Sequence, residues 1–172
     1  MPSAYDRAMS IPAGVRLRPA TVADAEAGAR LHRACWQEAY GPITDPALLA
    51  ARLGDGTGWV DRWRTQVESG PEWVLAVAGD ELVGFGIAGA SRHDQAPVPD
   101  ELYALYARSA WHGTGVGAAL LERVLGERAA YLWVLEDNAR ARTFYARQGF
   151  AADGVRQPYE PLGAWEVRMV RR

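Results

Sequence analysis

The stretch from Leu102 to Leu125 constrains this chain more than any other. Leu102-Tyr103-Ala104-Leu105-Tyr106-Ala107 carries no polar alternation, so it reads as a strand apolar on both faces. A glycine-rich turn follows, Gly113-Thr114-Gly115-Val116-Gly117. From there Val116, Leu120, Leu121, Val124 and Leu125 mark one face of a helix. The first turn of a helix has unpaired N–H groups and the positive end of the backbone dipole. Glycines remove the side chains that would hold a phosphate away, so this turn suits a pyrophosphate. It is not a P-loop, because no Lys-Ser or Lys-Thr follows; all 19 basic residues are arginine and the chain has no lysine. A Rossmann reading is also poor, since the turn lies in the second half instead of opening a βαβ unit.

The rest of the chain alternates between the two periods. Residues 1–14 read as a loose tail and residues 15–172 as one domain. Val15 to Arg18 is a short strand stopped by Pro19. Thr21 and Asp24 cap an alanine-rich helix that ends near Tyr40. Asp45-Pro46 opens a second helix. Gly54 to Gly58 reads as a loop, and Trp59 to Ser69 is helical again. Trp73–Ala78 and Leu82–Ile87 flank Gly79-Asp80-Glu81 as a hairpin. Ser91 to Asp100 is a loop and Tyr131–Leu135 a short buried strand. Asn138 caps a helix that runs to Gln148 and stops at Gly149. Phe150–Arg156 and Trp165–Val170 pair as closing strands.

Composition removes several classes. With 19 basic and 21 acidic residues the net charge is −2, and the scattered arginines form no basic stripe, against nucleic-acid binding. No apolar run reaches the ~18 residues of a membrane span, and the first residues lack a signal-peptide pattern. The single cysteine, Cys35, excludes an internal disulfide and points to a reducing, cytoplasmic setting. No His, Cys, Asp or Glu set has metal-ligand spacing. The missing lysine, 31 alanines and many arginines look like the codon bias of a GC-rich bacterial genome.

A second segment joins the first: Asn138, Phe144-Tyr145 and Gly149-Phe150. His112 to Gly117 followed by this set resembles the GNAT superfamily of N-acetyltransferases, in order and in separation. His112 stands where that family usually has Arg or Gln, and Ser109 where a proline is frequent. The resemblance covers nearly the whole domain. It implies an α+β fold: a mostly antiparallel, twisted sheet of about seven strands with about four helices, splayed between strands four and five. It further implies acetyl-CoA as co-substrate, lying in that splay. Its pyrophosphate would rest on His112, Gly113, Thr114, Gly115, Val116, Gly117 and Ala118. Its pantetheine arm would meet Leu105, Tyr106, Ala107 and Asn138, with a strand amide holding the oxyanion. Tyr145 is implied as the acid that protonates the departing thiolate.

Glu101, eleven positions before His112, stands where some protein-acetylating relatives keep a catalytic glutamate; a solvated carboxylate at a strand end is the alternative. Along the strand Glu101, Tyr103, Leu105 and Ala107 share one face, so Glu101 would look toward the same side as Leu105 and Ala107. Trp36, Tyr40, Trp59 and Trp63, with Glu38, Asp45, Asp55 and Asp61 nearby, would suit a cationic amine, although packing of a helix on the sheet is the usual fate of buried tryptophans such as Trp59 and Trp63. The expected activity is direct acetyl transfer to a primary amine, on a small molecule or a protein N-terminus or lysine, by a monomer or homodimer. A catalytically silent acyl-CoA-binding regulatory module is the alternative.

Overall fold

The computed structural model describes residues 11–172; positions 1–10 of the expected tail lie outside the described residues. Strand β1 (Val15–Pro19) leads to helix α1 (Ala25–Tyr40), then α2 (Pro46–Leu53) and α3 (Thr57–Ser69). The hairpin of β2 (Trp73–Ala78) and β3 (Glu81–Ala90) follows, and then β4 (Asp100–Ala107). Helix α4 (Val116–Leu125), β5 (Ala130–Leu135), α5 (Ala139–Arg147), β6 (Ala151–Tyr159) and β7 (Ala164–Arg171) complete the chain. The described residues thus hold seven strands as expected, and five helices where about four were expected.

Caps explain most of the boundaries. Asp24 takes the Thr21 N–H at 2.8 Å and hydroxyl at 2.9 Å, and Arg18 grips both its oxygens at 2.6 and 2.8 Å. The Arg18 bond is the main reason the Asp24 carboxyl is held at about 2. Asp45 accepts from the Ala47 and Leu48 amides and starts α2 with Pro46 in its first turn. α3 begins at Thr57, two residues before the expected Trp59. Gly56 enters it at φ +96°, and Asp55 binds both the Thr57 amide and hydroxyl, so the presumed loop residues Thr57 and Gly58 become its first turn.

The sheet runs β1-β2-β3-β4-β5-β7-β6 and is antiparallel except for β4–β5. That parallel pair has only two register partners, Asp100 with Ala130 and Glu101 with Tyr131. Past them the two strands separate. On its other side β4 slips by one residue against β3: Ile87 faces Ala104 while Ala88 faces Leu102, which leaves Tyr103 as a bulge. The bulge overturns the expected shared face. Tyr103 and Ala104, although consecutive, both pack toward α1 and α3, with Tyr106. Leu105 and Ala107 pack on the opposite side, against α4. Glu101, two residues before Tyr103, therefore faces away from Leu105 and Ala107.

One face of the sheet is covered by α1, α2 and α3 over Trp36, Trp59, Trp63, Trp73 and Phe85. Trp63 is 1% exposed and lies flat on Gly28 of α1; a Cβ there would come within 2.3–2.6 Å of three ring atoms. The tryptophans are thus chiefly packing. The other face is covered by α4 and α5 over Leu102, Leu121, Leu132 and Phe150.

Candidate active site

The parting of β4 and β5 opens a cavity of about 1610 Å³ that reaches from the Gly113–Ala118 turn to Arg52 and Arg62 on α2 and α3. Single-ligand pockets are typically ~300–1,000 Å³, so this one has room for two molecules at once.

At the turn, Gly113 (φ +77°) and Gly115 (φ +100°) adopt a left-handed backbone that favours glycine. Among the described residues the amides of Gly113, Gly115, Val116, Gly117 and Ala118 have no backbone acceptor. A Cβ at Gly113 would meet nothing within 4 Å, so the space in front of the turn is open. Free N–H groups at the start of a ten-residue helix suit an anion. The His112 imidazole bonds to the Ala107 carbonyl at 3.0 Å, and burial, then Arg140, lower its pKa. His112 therefore brings no charge to the turn. Arg108 is engaged by Glu38, and Arg142 by the Glu136 carbonyl. Arg140 makes no such contact among the described residues and lines the cavity. Across from the turn, Asn138 caps α5 through Oδ1 to the Ala141 amide at 3.1 Å, and it too lines the cavity.

The phenol of Tyr145 is 8% exposed and its hydroxyl has no hydrogen-bond partner among the described residues. Burial first, and the neighbouring Tyr40, push its pKa up, so it holds its proton at neutral pH. Its ring packs on the α5 side, and its phenol and those of Tyr40 and Tyr106, whose hydroxyls share a 2.7 Å bond, lie within each other's electrostatic reach. At the closed end of the splay Glu101 is 1% exposed and fully engaged. Its oxygens take the Arg92 guanidinium through Nη2 at 2.5 Å and Nε at 3.2 Å, the Arg92 amide at 3.1 Å and the Tyr131 hydroxyl at 3.0 Å. Burial raises the Glu101 carboxyl, but these donors outweigh it and leave it below the usual range. The Cys35 thiol, by contrast, is pushed up to about 12 by burial and then Glu38, which makes it a poor nucleophile.

An acetyltransferase (GNAT) domain model matches residues 69–152, which span the hairpin, both splayed strands, the glycine turn and α5. A probable N-acetyltransferase of Mycobacterium tuberculosis is 29% identical over 161 residues, covering 91% of each chain. The solved structure of the PaiA N-acetyltransferase of Thermoplasma acidophilum in complex with coenzyme A aligns with a TM-score of 0.60 at 18% identity, over 90% of this chain and 97% of that one. An acetyltransferase of Thermus thermophilus aligns with a TM-score of 0.60 at 26% identity, over 91% and 96%. Residues 69–152, which form the splay, the glycine turn and α5, thus match the GNAT acetyltransferase domain, and the full-length relative is named an N-acetyltransferase.

The expected residues converge on one cavity, with two exceptions. Thr114 turns its hydroxyl to the Trp111 carbonyl at 2.7 Å, and Val116 is buried beside Leu120. Glu101, Leu105, Tyr106, Ala107, His112, Gly113, Gly115, Gly117, Ala118, Asn138 and Tyr145 all line it. Of the acidic residues expected to draw a cation only Glu38 lines it, and its carboxylate is already taken. Asp45 and Asp55 cap helices, Asp61 pairs with Arg64 at 3.2 Å, and Glu38 holds Arg108 and the Ser109 amide. Sequence reasoning missed Arg52, Arg62, Arg92, Tyr159 and Glu166, which all reach this cavity from separate elements. Glu166 of β7 accepts from the Gln157 amide at 2.6 Å, and burial raises its carboxyl. No signal near the glycine turn marks these residues; only the α1–α2–α3 cover and the β5–β7 pairing bring them in.

Proposed function

We propose that this chain is a GNAT acetyltransferase that moves the acetyl group of acetyl-CoA to a primary amine, the amine attacking the bound thioester directly in a ternary complex. The observation that carries this reading is a single cavity joining a turn of free amides to a buried phenol with no partner. Gly113, Gly115, Gly117 and Ala118 fit the pyrophosphate through backbone N–H groups, and Arg140 adds a cation. His112 and Thr114 contribute shape and not charge. Leu105, Tyr106 and Ala107 offer a strand edge that has no ladder partner on its β5 side, and Asn138 flanks it.

The amine nitrogen bonds to the thioester carbonyl carbon, a β4 amide supports the oxyanion, and the C–S bond breaks. Tyr145 gives its proton to the leaving sulfur. Burial that raises the phenol raises the nascent thiolate as well, so the two stay matched. The acceptor must first lose a proton, at a cost of roughly 4 kcal/mol for an alkylammonium near neutral pH. Glu101 is assigned to draw that proton through water; four donors already fill its lone pairs, so one of them, such as the Tyr131 hydroxyl, gives up its place to the water that carries the proton. Cys35, buried and held as a thiol, favours direct transfer over an acetyl-enzyme. The single cysteine fits work in the cytoplasm.

The test is thiol release from acetyl-CoA with a panel of amines. Tyr145→Phe is expected to lower kcat by ~10²-fold or more while the Kd for CoA stays within ~2-fold. An unchanged kcat removes Tyr145 from the mechanism. Binding of CoA without thiol release from any amine would make the chain a silent acyl-CoA-binding module, and no CoA binding would end the reading altogether.

A further inference from the structure

The half of the cavity farthest from the glycine turn holds two guanidinium groups that nothing neutralises. Arg52 lies over Trp36 at 5.1 Å and over Trp59 at 5.3 Å, and Arg62 lies over the same Trp59 at 5.9 Å. Among the described residues, neither comes within 4.0 Å of a carboxylate. Arg92, the third arginine on this side, is already matched by Glu101. Asp45, Asp55 and Asp61 are spent on Ala47, Thr57 and Arg64, and Glu68, the other acidic side chain of α3, forms no ion pair with either arginine among the described residues.

The two positive charges converge on one place. His32 sits between them and the sheet, its ring 4.8 Å from Trp59 and 4.7 Å from Phe85. Burial, then Arg52 and Arg62, hold it neutral, with a pKa of about 3. Trp36 donates to its Nε2 at 3.1 Å. The Tyr159 phenol lies in the field of the same two arginines and within reach of the Arg52 guanidinium. Stacking on Trp36 and Trp59 steadies the guanidinium planes and leaves their N–H edges free for a flat or tetrahedral oxyanion.

We propose that the acceptor is an amine that also carries an oxyanion, a carboxylate or a phosphate, and that Arg52 and Arg62 bind that oxyanion. This rests on the acetyl-transfer reading and names its substrate class. It also reverses the expectation drawn from the aromatic and acidic residues of this region, which favoured a purely cationic amine. The geometry is that of a two-ended pocket: Arg52 and Arg62 take the anionic end, and the amine extends toward Tyr145 and the splay.

Matched pairs of acceptors test it: amino acids against their carboxamides, and O-phosphoethanolamine against ethanolamine. Thiol release gives kcat/KM for each, and calorimetry with CoA present gives binding. The oxyanion member of at least one pair is expected to be preferred by about 10-fold or more, and the two series tell carboxylate from phosphate. The double variant Arg52→Gln, Arg62→Gln is expected to bring that ratio close to one, with the Kd for CoA within ~2-fold as proof of folding. Neutral members that serve equally well, or a preference that survives the double variant, overturn the proposal. If no amine releases thiol, acetyl transfer has failed on its own, and calorimetry still decides this subsite. Oxyanion binding lost in the double variant upholds it, and no oxyanion binding to the unaltered protein overturns it.

Discussion

Two carboxylates in the cavity have opposite surroundings, and that difference can be measured. Glu101 is held below the usual glutamate range by Arg92 and Tyr131, against the pull of burial. Glu166, with only the Gln157 amide as a close donor, is raised by burial. If Glu101 moves the proton, the acid limb of kcat/KM lies below ordinary glutamate values, and Glu101→Gln costs ~10²-fold in kcat and abolishes the limb. A limb displaced upward, and lost only in Glu166→Gln, would transfer the role to Glu166. Packing offers a second check at this scale. Gly28→Ala drives a methyl into the Trp63 ring, and denaturant unfolding is expected to show a loss of about 1–3 kcal/mol. Asn138, Tyr145 and the glycines were legible in sequence because each is a local device: a cap, a helix position, a turn. Arg52, Arg62 and Glu166 were not, because their importance arises only when α2, α3 and β7 meet around one space.

The elements are held by a few strong ends. Arg18 on β1 and the Thr21–Asp24 turn tie the first strand to α1. Asp24 sits near 2 in the fold against ~3.9 unfolded, so its share of stability is present above about pH 4 and fades as pH falls through about 2. Asp24→Asn is expected to lower stability by about 1–2 kcal/mol at pH 7, a difference that shrinks between pH 4 and 2 in paired thermal melts. The strand order and the β4–β5 splay follow the plan that the two motifs imply. The bulge at Tyr103 does not show in the sequence, since Leu102 to Ala107 is apolar throughout and a slip in register leaves no mark there. It is set by the pairing of Ile87 and Ala88 across the sheet, and it decides which face Glu101 occupies. The early start of α3 was hidden for a related reason: glycines at 54, 56 and 58 look like a loop until Asp55 is seen to cap Thr57.

At the scale of the molecule, the described residues form one sheet that all five helices cover. No described helix is long and apolar enough to cross a membrane. CoA at 100 times its Kd is expected to add about 2.7 kcal/mol to unfolding, seen as a rise in Tm that saturates with ligand. A larger question of exposure comes from the two-rung join between β4 and β5. A sheet that parts in its middle has four borders instead of two, and the inner pair carries unsatisfied backbone groups that invite any extended chain. Whatever fills the gap also silences those borders. The ligand-free protein should therefore be the form that self-associates on warming, and light scattering with and without CoA should tell the two apart well below the melting temperature.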